Sequence, residues 1–249
     1  MTAAPLRNAR ACQSSSSSGK QVSLPLTERV YQNSGNPGVT RLLDQNCHRI
    51  LDVGCGSGDN AALVKGMLPQ CEIFGITRST SEAELALRNM KECWVYDIEK
   101  GIPDEIRNVA FDAIIFSHVL EHLRYPASIV ANFSRLLTKG GQVIIAVPNV
   151  LYLPMRLQFL RGDFEYQPAG GILDDTHLHF YTYFTADRYL LSESPHLKLK
   201  SKLGGGHVPL PLLRNRIIPE PICKAIDVWG ERHWPNLFGH QIVIAAERV

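Results

Sequence analysis

A short apolar segment that ends in closely spaced glycines is the feature that most limits how this chain folds. Residues Arg49 to Val53 have the composition of a buried strand, and Gly54, Gly56 and Gly58 follow before a helical stretch begins. Glycine permits a tight turn and lets the backbone approach a ligand closely. A loop of this kind typically lies at the carboxyl edge of a parallel sheet and binds a nucleotide.

The spacing of the glycines indicates which nucleotide is bound. A dinucleotide-binding loop has the spacing G-x-G-x-x-G, whereas here Asp59 occupies the place of the third glycine and the pattern is G-x-G-x-G. The spacing therefore disfavours a nicotinamide-dependent dehydrogenase.

Beyond this loop, short apolar runs alternate with helical stretches, which predicts a parallel sheet covered by helices. The run at 111–116 is apolar almost throughout, as expected for a strand buried on both faces. A helix that starts near residue 127 is expected to stop at Lys139-Gly140-Gly141. We predict further strands at 72–76, 93–96, 142–147, 196–203 and 241–246, and further helices at 60–68, 81–90 and 221–232.

Residues 149–195 interrupt this alternation with a long insertion that is rich in aromatic side chains. Long insertions in compact domains often form lids or binding loops. We expect this one to cover a substrate, although it also needs a small hydrophobic core of its own. His177, His179, Tyr181 and Tyr183 alternate along it, so an extended backbone would place them on one face.

The ordered motifs resemble those of class I S-adenosylmethionine-dependent methyltransferases. Residues 50–58 look like the first motif of that family, and residues 111–123 and 136–148 look like its later motifs. The resemblance implies a Rossmann-like α/β fold with helices on both faces of a seven-stranded, mostly parallel sheet whose last strand is antiparallel. It also implies S-adenosyl-L-methionine as the cofactor.

The resemblance assigns several residues to the cofactor. Asp52 and the backbone of Gly54 and Gly56 would meet the methionine moiety, and Asp97 or Ile98 would meet the adenine. Ser117, at the end of the fourth strand, is a further cofactor candidate.

One position departs from the family pattern. Thr77 stands where family members usually place an acidic residue that holds the ribose hydroxyls, and Glu82 lies five residues later. By similarity to related methyltransferases with threonine at this position, we nominate Thr77 and Glu82 for the ribose. Alternatively, Glu82 is a solvated first-turn glutamate that the helix dipole favours.

The segment after the fourth strand carries the candidate chemistry. His118 and His122 are four residues apart, which on a helix would place them on one face with Glu121 beside them. A neutral imidazole can remove a proton near pH 7, so we expect His118 or His122 to be the general base. Each is equally compatible with a structural histidine in the pocket wall.

A metal site is a second interpretation of the same segment. It resembles a Glu-x-x-Glu-His pattern that binds a divalent ion in some ubiquinone-pathway and small-RNA methyltransferases. Here His118 replaces the first glutamate, which leaves a set of His118, Glu121, His122 and His177. Such a donor set suits Mn, Fe or Zn better than Mg. We expect catalysis without metal, with His177 as a further catalytic residue.

We expect the acceptor to be a small aromatic or heteroaromatic metabolite in a biosynthetic pathway, contacted by Tyr166, His179 and Tyr181 of the insertion. The alternatives are a metal-assisted 2′-O-methyltransferase acting on RNA, and a regulatory or scaffold protein that binds S-adenosylmethionine without catalysis. The exposed aromatics also fit a homodimer surface.

Composition limits the remaining choices. The net charge is +2, from 26 basic and 24 acidic residues, which disfavours a dedicated nucleic-acid-binding protein. The six cysteines form no C-x-x-C pair and indicate a reducing compartment, and no apolar run is long enough to span a membrane. We therefore expect a cytoplasmic protein.

The first residues differ in composition from the remainder. Residues 1–22 contain a serine run and no acidic residue, which predicts a disordered tail with a loose likeness to a transit peptide. We assign 23–249 to the methyltransferase domain, and by analogy alone we suggest Tyr31 as a gate over the cofactor.

Overall fold

The computed structural model describes residues 34–168, 170–206, 208 and 218–249. The expected N-terminal tail and Tyr31 lie outside the described residues. Helices and strands follow one another along the chain as α1 (Pro37–Leu42), β1 (Arg49–Val53), α2 (Asp59–Met67), β2 (Glu72–Thr77), α3 (Thr80–Ala86), β3 (Glu92–Val95), β4 (Phe111–Ser117), α4 (Pro126–Ser134), β5 (Leu137–Pro148), α5 (Leu153–Leu160), α6 (Ala186–Leu190), β6 (Leu197–Gly206), α7 (Glu220–His233), α8 (Pro235–Phe238) and β7 (Gly239–Arg248).

The strands form one seven-stranded sheet in the order β3-β2-β1-β4-β5-β7-β6. The first five strands in the chain pair in parallel, and β7 runs antiparallel between β5 and β6. The fold prediction is thereby confirmed, including the antiparallel last strand. The strand order reverses on either side of β1, and in open α/β sheets ligands bind at such a switch point, outside the carboxyl ends of the strands.

Helices cover each face of the sheet. Successive residues of a strand point to opposite faces, so one strand contributes to a hydrophobic cluster on each side. Ile50 belongs to one hydrophobic cluster, together with Val39 of α1 and Val64 of α2. Its neighbour Leu51 belongs to the other cluster, which contains Phe133 of α4 and Leu190 of α6. The sheet is therefore buried on both faces, which leaves the carboxyl ends of its strands for ligand binding.

The boundary between α4 and β5 differs from the prediction. The helix ends at Ser134 and β5 begins at Leu137, whereas we expected the helix to continue until it stops at Lys139-Gly140-Gly141 and the strand to start at 142. Leu137 pairs with Phe111, and the register then shifts before Gln142 pairs with Ala113. Gly140, with φ of 78°, lies in this irregularity. The glycines therefore shape a bulge in a strand and not a helix end.

Backbone hydrogen bonds join the two halves of the aromatic insertion and hold it against the turn after β4. The Val150 amide donates to the Tyr181 carbonyl at 2.9 Å, and the amides of Leu178 and His179 donate to the Glu121 carbonyl at 2.8 and 3.2 Å. These bonds fix the second half of the insertion against the turn that follows β4. Among the described residues, no helix is long and apolar enough to cross a membrane.

Candidate active site

A cavity of about 770 Å³ opens at the carboxyl edge of the sheet, at the switch point beside β1. This is within the range of roughly 300–1,000 Å³ that is usual for small-molecule sites. Its wall combines the glycine loop, the ends of β2 and β4, the turn after β4, the start of β7 and residues Thr176 and Leu178 of the insertion. These segments are distant from one another in the sequence, and only the fold brings them together.

The glycine loop forms one wall through its backbone. Gly54 has φ of 76°, and a Cβ added there would lie 2.6 Å from Val119 Cγ2. Gly58 has φ of 84°, and a Cβ there would lie 2.9 Å from the Cα of Ala86. The amides of Gly54 and Cys55 both donate to the Ile76 carbonyl, which ties the loop to β2. Side chains at these glycines would be both strained and obstructed.

Asp52 lies beneath this loop and is fully buried, outside the cavity wall. Neither of its carboxylate oxygens has a hydrogen bond of good geometry within the described part of the chain. Burial raises the pKa of Asp52 to about 7, and the neighbouring Asn60 side chain opposes the rise only in part. An unpaired buried carboxylate is costly, so Asp52 is suited to receive a positively charged ligand group.

The two residues nominated for the ribose meet at the cavity wall. The Thr77 hydroxyl donates to Glu82 Oε2 at 2.5 Å, and both side chains are buried. The fold places Glu82 there because Ser79 caps α3 by accepting from the Glu82 amide at 3.3 Å. Glu82 is therefore not a solvated first-turn glutamate.

The remaining cofactor candidates divide into two groups. Ile98 and Ser117 lie in the cavity wall. Asp97 does not, because its side chain accepts from the Glu99 amide at 3.2 Å and caps a short 3-10 helix. The structure thus favours Ile98 over Asp97 at the predicted adenine position.

His118 does not share an α-helical face with His122, contrary to expectation. It is the one non-glycine residue of the described ranges with clearly positive φ, at 54°, and a 3-10 turn over Leu120–His122 follows it. Its Nε2 lies 3.0 Å from Gln241 Oε1, and its Nδ1 lies 3.4 Å from Glu121 Oε1. Burial lowers the pKa of His118, but Glu121 and Gln241 outweigh burial and raise it above its usual value.

Both histidines lie in the cavity wall, but His122 turns the other way, toward the insertion. Its Nδ1 is 2.9 Å from Thr176 Oγ1 and 3.3 Å from the Thr176 carbonyl oxygen. Thr176 Oγ1 in turn is 2.5 Å from Asp174 Oδ1. An ionised carboxylate only accepts hydrogen bonds, so the Thr176 hydroxyl donates to Asp174 and accepts from His122 Nδ1–H.

These contacts leave Nε2 as the basic nitrogen of His122. Burial is the main cause that lowers the pKa of His122, which keeps the ring neutral near pH 7. Burial alone would raise the pKa of Asp174, but hydrogen bonds from Thr176 and the Gly170 amide hold it below its usual value. The chain Asp174–Thr176–His122 therefore orients a neutral imidazole at the cavity wall.

Glu121, His122 and His177 form a compact cluster in which one ligand atom of each lies within 4.8 Å of the others. His177 Nε2 is 4.0 Å from Glu121 Oε1, and the rings of His122 and His177 are 4.7 Å apart between centroids. Burial would raise the pKa of Glu121, but His118 and His122 lower it below its usual value. His118 lies outside this cluster of three, so the four-residue set of the alternative metal interpretation is not assembled.

The three nominated substrate residues lie outside the cavity wall. Tyr166 is 52% exposed and packs edge-on against Phe164. Tyr181 is buried in the core, and His179 stacks on it with centroids 6.3 Å apart. His177 is likewise outside the wall, and its Nδ1–H donates to the Ile172 carbonyl oxygen at 3.0 Å. The alternating residues 177, 179, 181 and 183 of the insertion do face inward, but toward the sheet and not toward the cavity.

Several residues of the site were missed from the sequence, among them four polar ones whose contacts shape it. Asn36 and Gln241 form a double amide hydrogen bond at 2.7 and 3.1 Å, and both lie in the cavity wall. They are 205 residues apart, so no local pattern connects them. Asp174 and Thr176 were visible as neighbours of His177, but nothing in the sequence showed that they contact His122.

Comparison with known proteins gives consistent matches. A family model described as "Methyltransferase domain" matches residues 26–190. A ubiquinone biosynthesis O-methyltransferase of Chromobacterium violaceum is 32% identical over 113 residues, which cover 41% of this chain and 44% of that protein. A trans-aconitate 2-methyltransferase of an Acidovorax species is 30% identical over 133 residues, covering 52% and 50%. The chain thus spans about half or less of the curated relatives it matches.

The solved structures agree on the fold. A SAM-dependent methyltransferase from Archaeoglobus fulgidus superimposes with a TM-score of 0.55 at 18% identity. The match covers 82% of this chain and 87% of the other. At this identity the superposition shows a shared fold, whereas the matched family model shows the family to which the chain belongs.

Proposed function

Because this chain belongs to the methyltransferase-domain family, in the class I group that uses S-adenosylmethionine, we propose that it transfers a methyl group to a small aromatic or heteroaromatic metabolite. S-adenosylmethionine supplies an electrophilic methyl group on a cationic sulfur. The chain contributes the binding site, the orientation of the acceptor and a base, since positioning is the main contribution that an enzyme makes to a displacement of this kind.

The cavity fits this cofactor on two observations. The loop lines the cavity with bare backbone, since a Cβ at Gly54 would collide with Val119, and the Asp52 carboxyl beneath it has no hydrogen bond of good geometry among the described residues. We assign Asp52 and the loop backbone to the methionine moiety, Thr77 and Glu82 to the ribose, and Ile98 to the adenine. Ser117 would complete the wall between cofactor and acceptor.

The observation that carries the choice of base is the chain of hydrogen bonds from Asp174 through Thr176 to His122. It fixes the tautomer with Nε2 unprotonated, so His122 can accept the proton that an O–H or N–H acceptor loses as its methyl bond forms. His118 is the weaker candidate, because both of its nitrogens are occupied and its pKa is raised. We assign His118 to orienting Glu121, and His177 to supporting the His122 ring.

We assign the insertion at 149–195 to the acceptor. Two of its residues, Thr176 and Leu178, lie in the cavity wall, to which Tyr96, Val119 and Leu123 also belong. Mixed aromatic and aliphatic walls favour planar acceptors. The two relatives act, by their names, in ubiquinone biosynthesis and on trans-aconitate, which supports a metabolite acceptor without specifying it.

The experiment is a S-adenosylhomocysteine release assay with catechols, hydroxybenzoates and N-heteroaromatic acceptors, run on the wild type and on His122→Gln. We expect kcat to fall about 10²–10³-fold in the variant, as for loss of a general base, with S-adenosylmethionine affinity within two-fold of wild type. The exposed-site variant His233→Gln is the matched control. Because burial lowers the pKa of His122, kcat of the wild type should fall only as the pH is lowered through that depressed pKa, and should not depend on pH above it.

Equal losses of kcat and cofactor affinity in His122→Gln would assign the ring a structural role. Tight cofactor binding without turnover of any acceptor would favour a regulatory or scaffold protein.

Metal-assisted transfer is a second candidate, favoured by the proximity of Glu121, His122 and His177. Glu121 has no hydrogen bond of good geometry in the described ranges, and a buried carboxylate beside two imidazoles suits a transition metal. The test is activity after dialysis against EDTA and after added Mn²⁺. Unchanged activity supports His122 as a general base without metal. Loss of activity on chelation and its recovery with Mn²⁺ supports metal-assisted transfer, and RNA is then again a candidate acceptor.

A further inference from the structure

Two cysteine sulfurs meet beside the glycine loop. Cys55 belongs to the loop and lines the cavity, and Cys93 lies on β3. Their Sγ atoms are 3.6 Å apart, whereas a disulfide requires about 2.05 Å. Both are free thiols in this structure, and the assigned roles of the active site use neither of them.

The contact exists because glycine occupies the position between them. Cys93 pairs with Gly75 of β2, the strand that separates β3 from β1. A Cβ at Gly75 would lie 2.8 Å from Cys55 Sγ and 3.2 Å from Cys93 Sγ. Only a residue without a side chain therefore lets the two sulfurs approach across the strand.

We propose that Cys55 and Cys93 are a reversible disulfide site through which peroxide controls the affinity for S-adenosylmethionine. The Cys93 sulfur, as thiolate, attacks one peroxide oxygen, the O–O bond breaks and hydroxide leaves, which gives a sulfenic acid. The Cys55 sulfur then attacks that sulfur, the S–S bond forms and water leaves. In sum, two thiols lose two electrons and two protons, and one hydrogen peroxide becomes two waters.

The order of these steps follows from the surroundings. Cys55 is 6% exposed, whereas Cys93 is partly exposed on β3, near the edge of the sheet. The cysteine contact and burial raise the pKa of Cys55 well above its usual value, so Cys55 is the slower nucleophile. Peroxide also reaches the partly exposed Cys93 more readily than the buried Cys55, and Cys93 is therefore oxidised first.

Closing the bond changes the cofactor site because the sulfurs must approach by about 1.5 Å to reach disulfide length. Cys93 is held within the ladder of β3, while Cys55 lies between two glycines with positive φ. The loop is thus the part that moves. The Cys55 amide and its neighbours form the wall assigned to the methionine moiety, so its displacement weakens cofactor binding.

The experiment treats the full chain with hydrogen peroxide, removes the excess with catalase and measures S-adenosylmethionine affinity by titration calorimetry. Unreduced tryptic digests are analysed in parallel, since the sequence places Cys55 in peptide 50–65 and Cys93 in peptide 92–100, with no other cysteine in either. We expect the cross-linked pair of peptides, at least a ten-fold loss of affinity, and recovery of both with dithiothreitol.

Two variants make the result specific. Cys93→Ser should bind the cofactor like reduced wild type and keep its affinity after peroxide, while Cys223→Ser on α7 should respond like wild type. Absence of the cross-linked peptides, or their presence with unchanged affinity, overturns the proposal. So does an equal loss of affinity in Cys93→Ser. The test depends on cofactor binding alone, so failure to find an acceptor leaves it unaffected.

Discussion

The glycine loop and the contact between His122 and the insertion form two walls of one cavity, but they are built differently. The loop acts through backbone atoms from one continuous segment, tied to β2 by the Ile76 carbonyl. The His122 wall acts through side chains, and Thr176 reaches His122 from 54 residues away. A wall made of backbone needs particular residue types at fixed spacing. A wall made of distant side chains needs only that the fold bring them together.

This difference predicts how each wall responds to substitution. In the loop a single added methyl group changes the backbone itself, whereas at the second wall substitutions change chemistry while the fold persists. Cofactor affinity should therefore be sensitive to loop variants, and turnover to variants of the histidine wall.

The largest effect is expected for Gly54→Ala. A residue with a side chain at φ of 76° costs about 1–2 kcal/mol, and its Cβ would also meet Val119. We expect at least a hundred-fold loss of S-adenosylmethionine affinity by calorimetry. Gly66→Ala is the matched control, since a Cβ there meets no atom within 4 Å and α2 should gain up to about 1 kcal/mol. Equal affinities of the two variants would show that the loop does not carry the cofactor.

Asp52→Asn tests the charge beneath the loop. The pKa of Asp52 is about 7 in the folded protein and about 3.9 in an unfolded chain. The folded state therefore keeps a proton that the unfolded state has released, and stability of the cofactor-free protein falls as pH rises from about 4 to 7.

The variant lacks this loss, so at pH 8 its free energy of unfolding should exceed that of wild type by roughly 2–4 kcal/mol. Near pH 4 the difference should vanish. Urea denaturation at both pH values measures it. Its cofactor affinity should fall at least ten-fold. A stability difference that does not change with pH would contradict the assignment of a protonated, buried Asp52.

His177→Phe tests the second wall. The ring packs edge-on against His122 with centroids 4.7 Å apart, and phenylalanine preserves this packing while removing both nitrogens. We expect kcat to fall about ten-fold, because the orientation of a base contributes part of its effect, with cofactor affinity within two-fold. Steady-state kinetics and calorimetry separate the two. Parallel losses would show that His177 supports the fold of both walls.

The smallest effect is expected for Tyr181→Phe. The Tyr181 hydroxyl is buried without a hydrogen-bond partner among the residues that the structure describes, so its removal should change stability by less than about 1 kcal/mol in either direction. We also expect unchanged kcat/KM, since the ring lies outside the cavity wall. A five-fold or greater fall in kcat/KM would show that Tyr181 contacts the acceptor after all. It would also weaken the distinction drawn between the two walls.

The two walls also differ in how far the sequence predicted them. The loop and the alternation of strands and helices followed from local motifs and periodicity, and the nomination of Thr77 and Glu82 followed from the resemblance to related methyltransferases. The expectation that His118 and His122 share one face of a helix was wrong, because nothing local showed that His118 adopts a left-handed conformation. It also gave no means to rank the two histidines, since their hydrogen-bond partners Gln241 and Thr176 lie far along the chain.

The sequence by itself determined the family, the fold class and the cofactor loop, because these depend on backbone geometry that short runs of glycine and apolar residues impose. Only the tertiary structure decided that Asp174 and Thr176 orient His122, that His118 is paired with Glu121, and that Cys55 meets Cys93 over Gly75. The contacts of Thr176 with His122 and of Cys55 with Cys93 join side chains on separate strands or loops, and the contact of His118 with Glu121 depends on the conformation of one turn. Such contacts follow from the packing of the whole sheet, which no local pattern encodes.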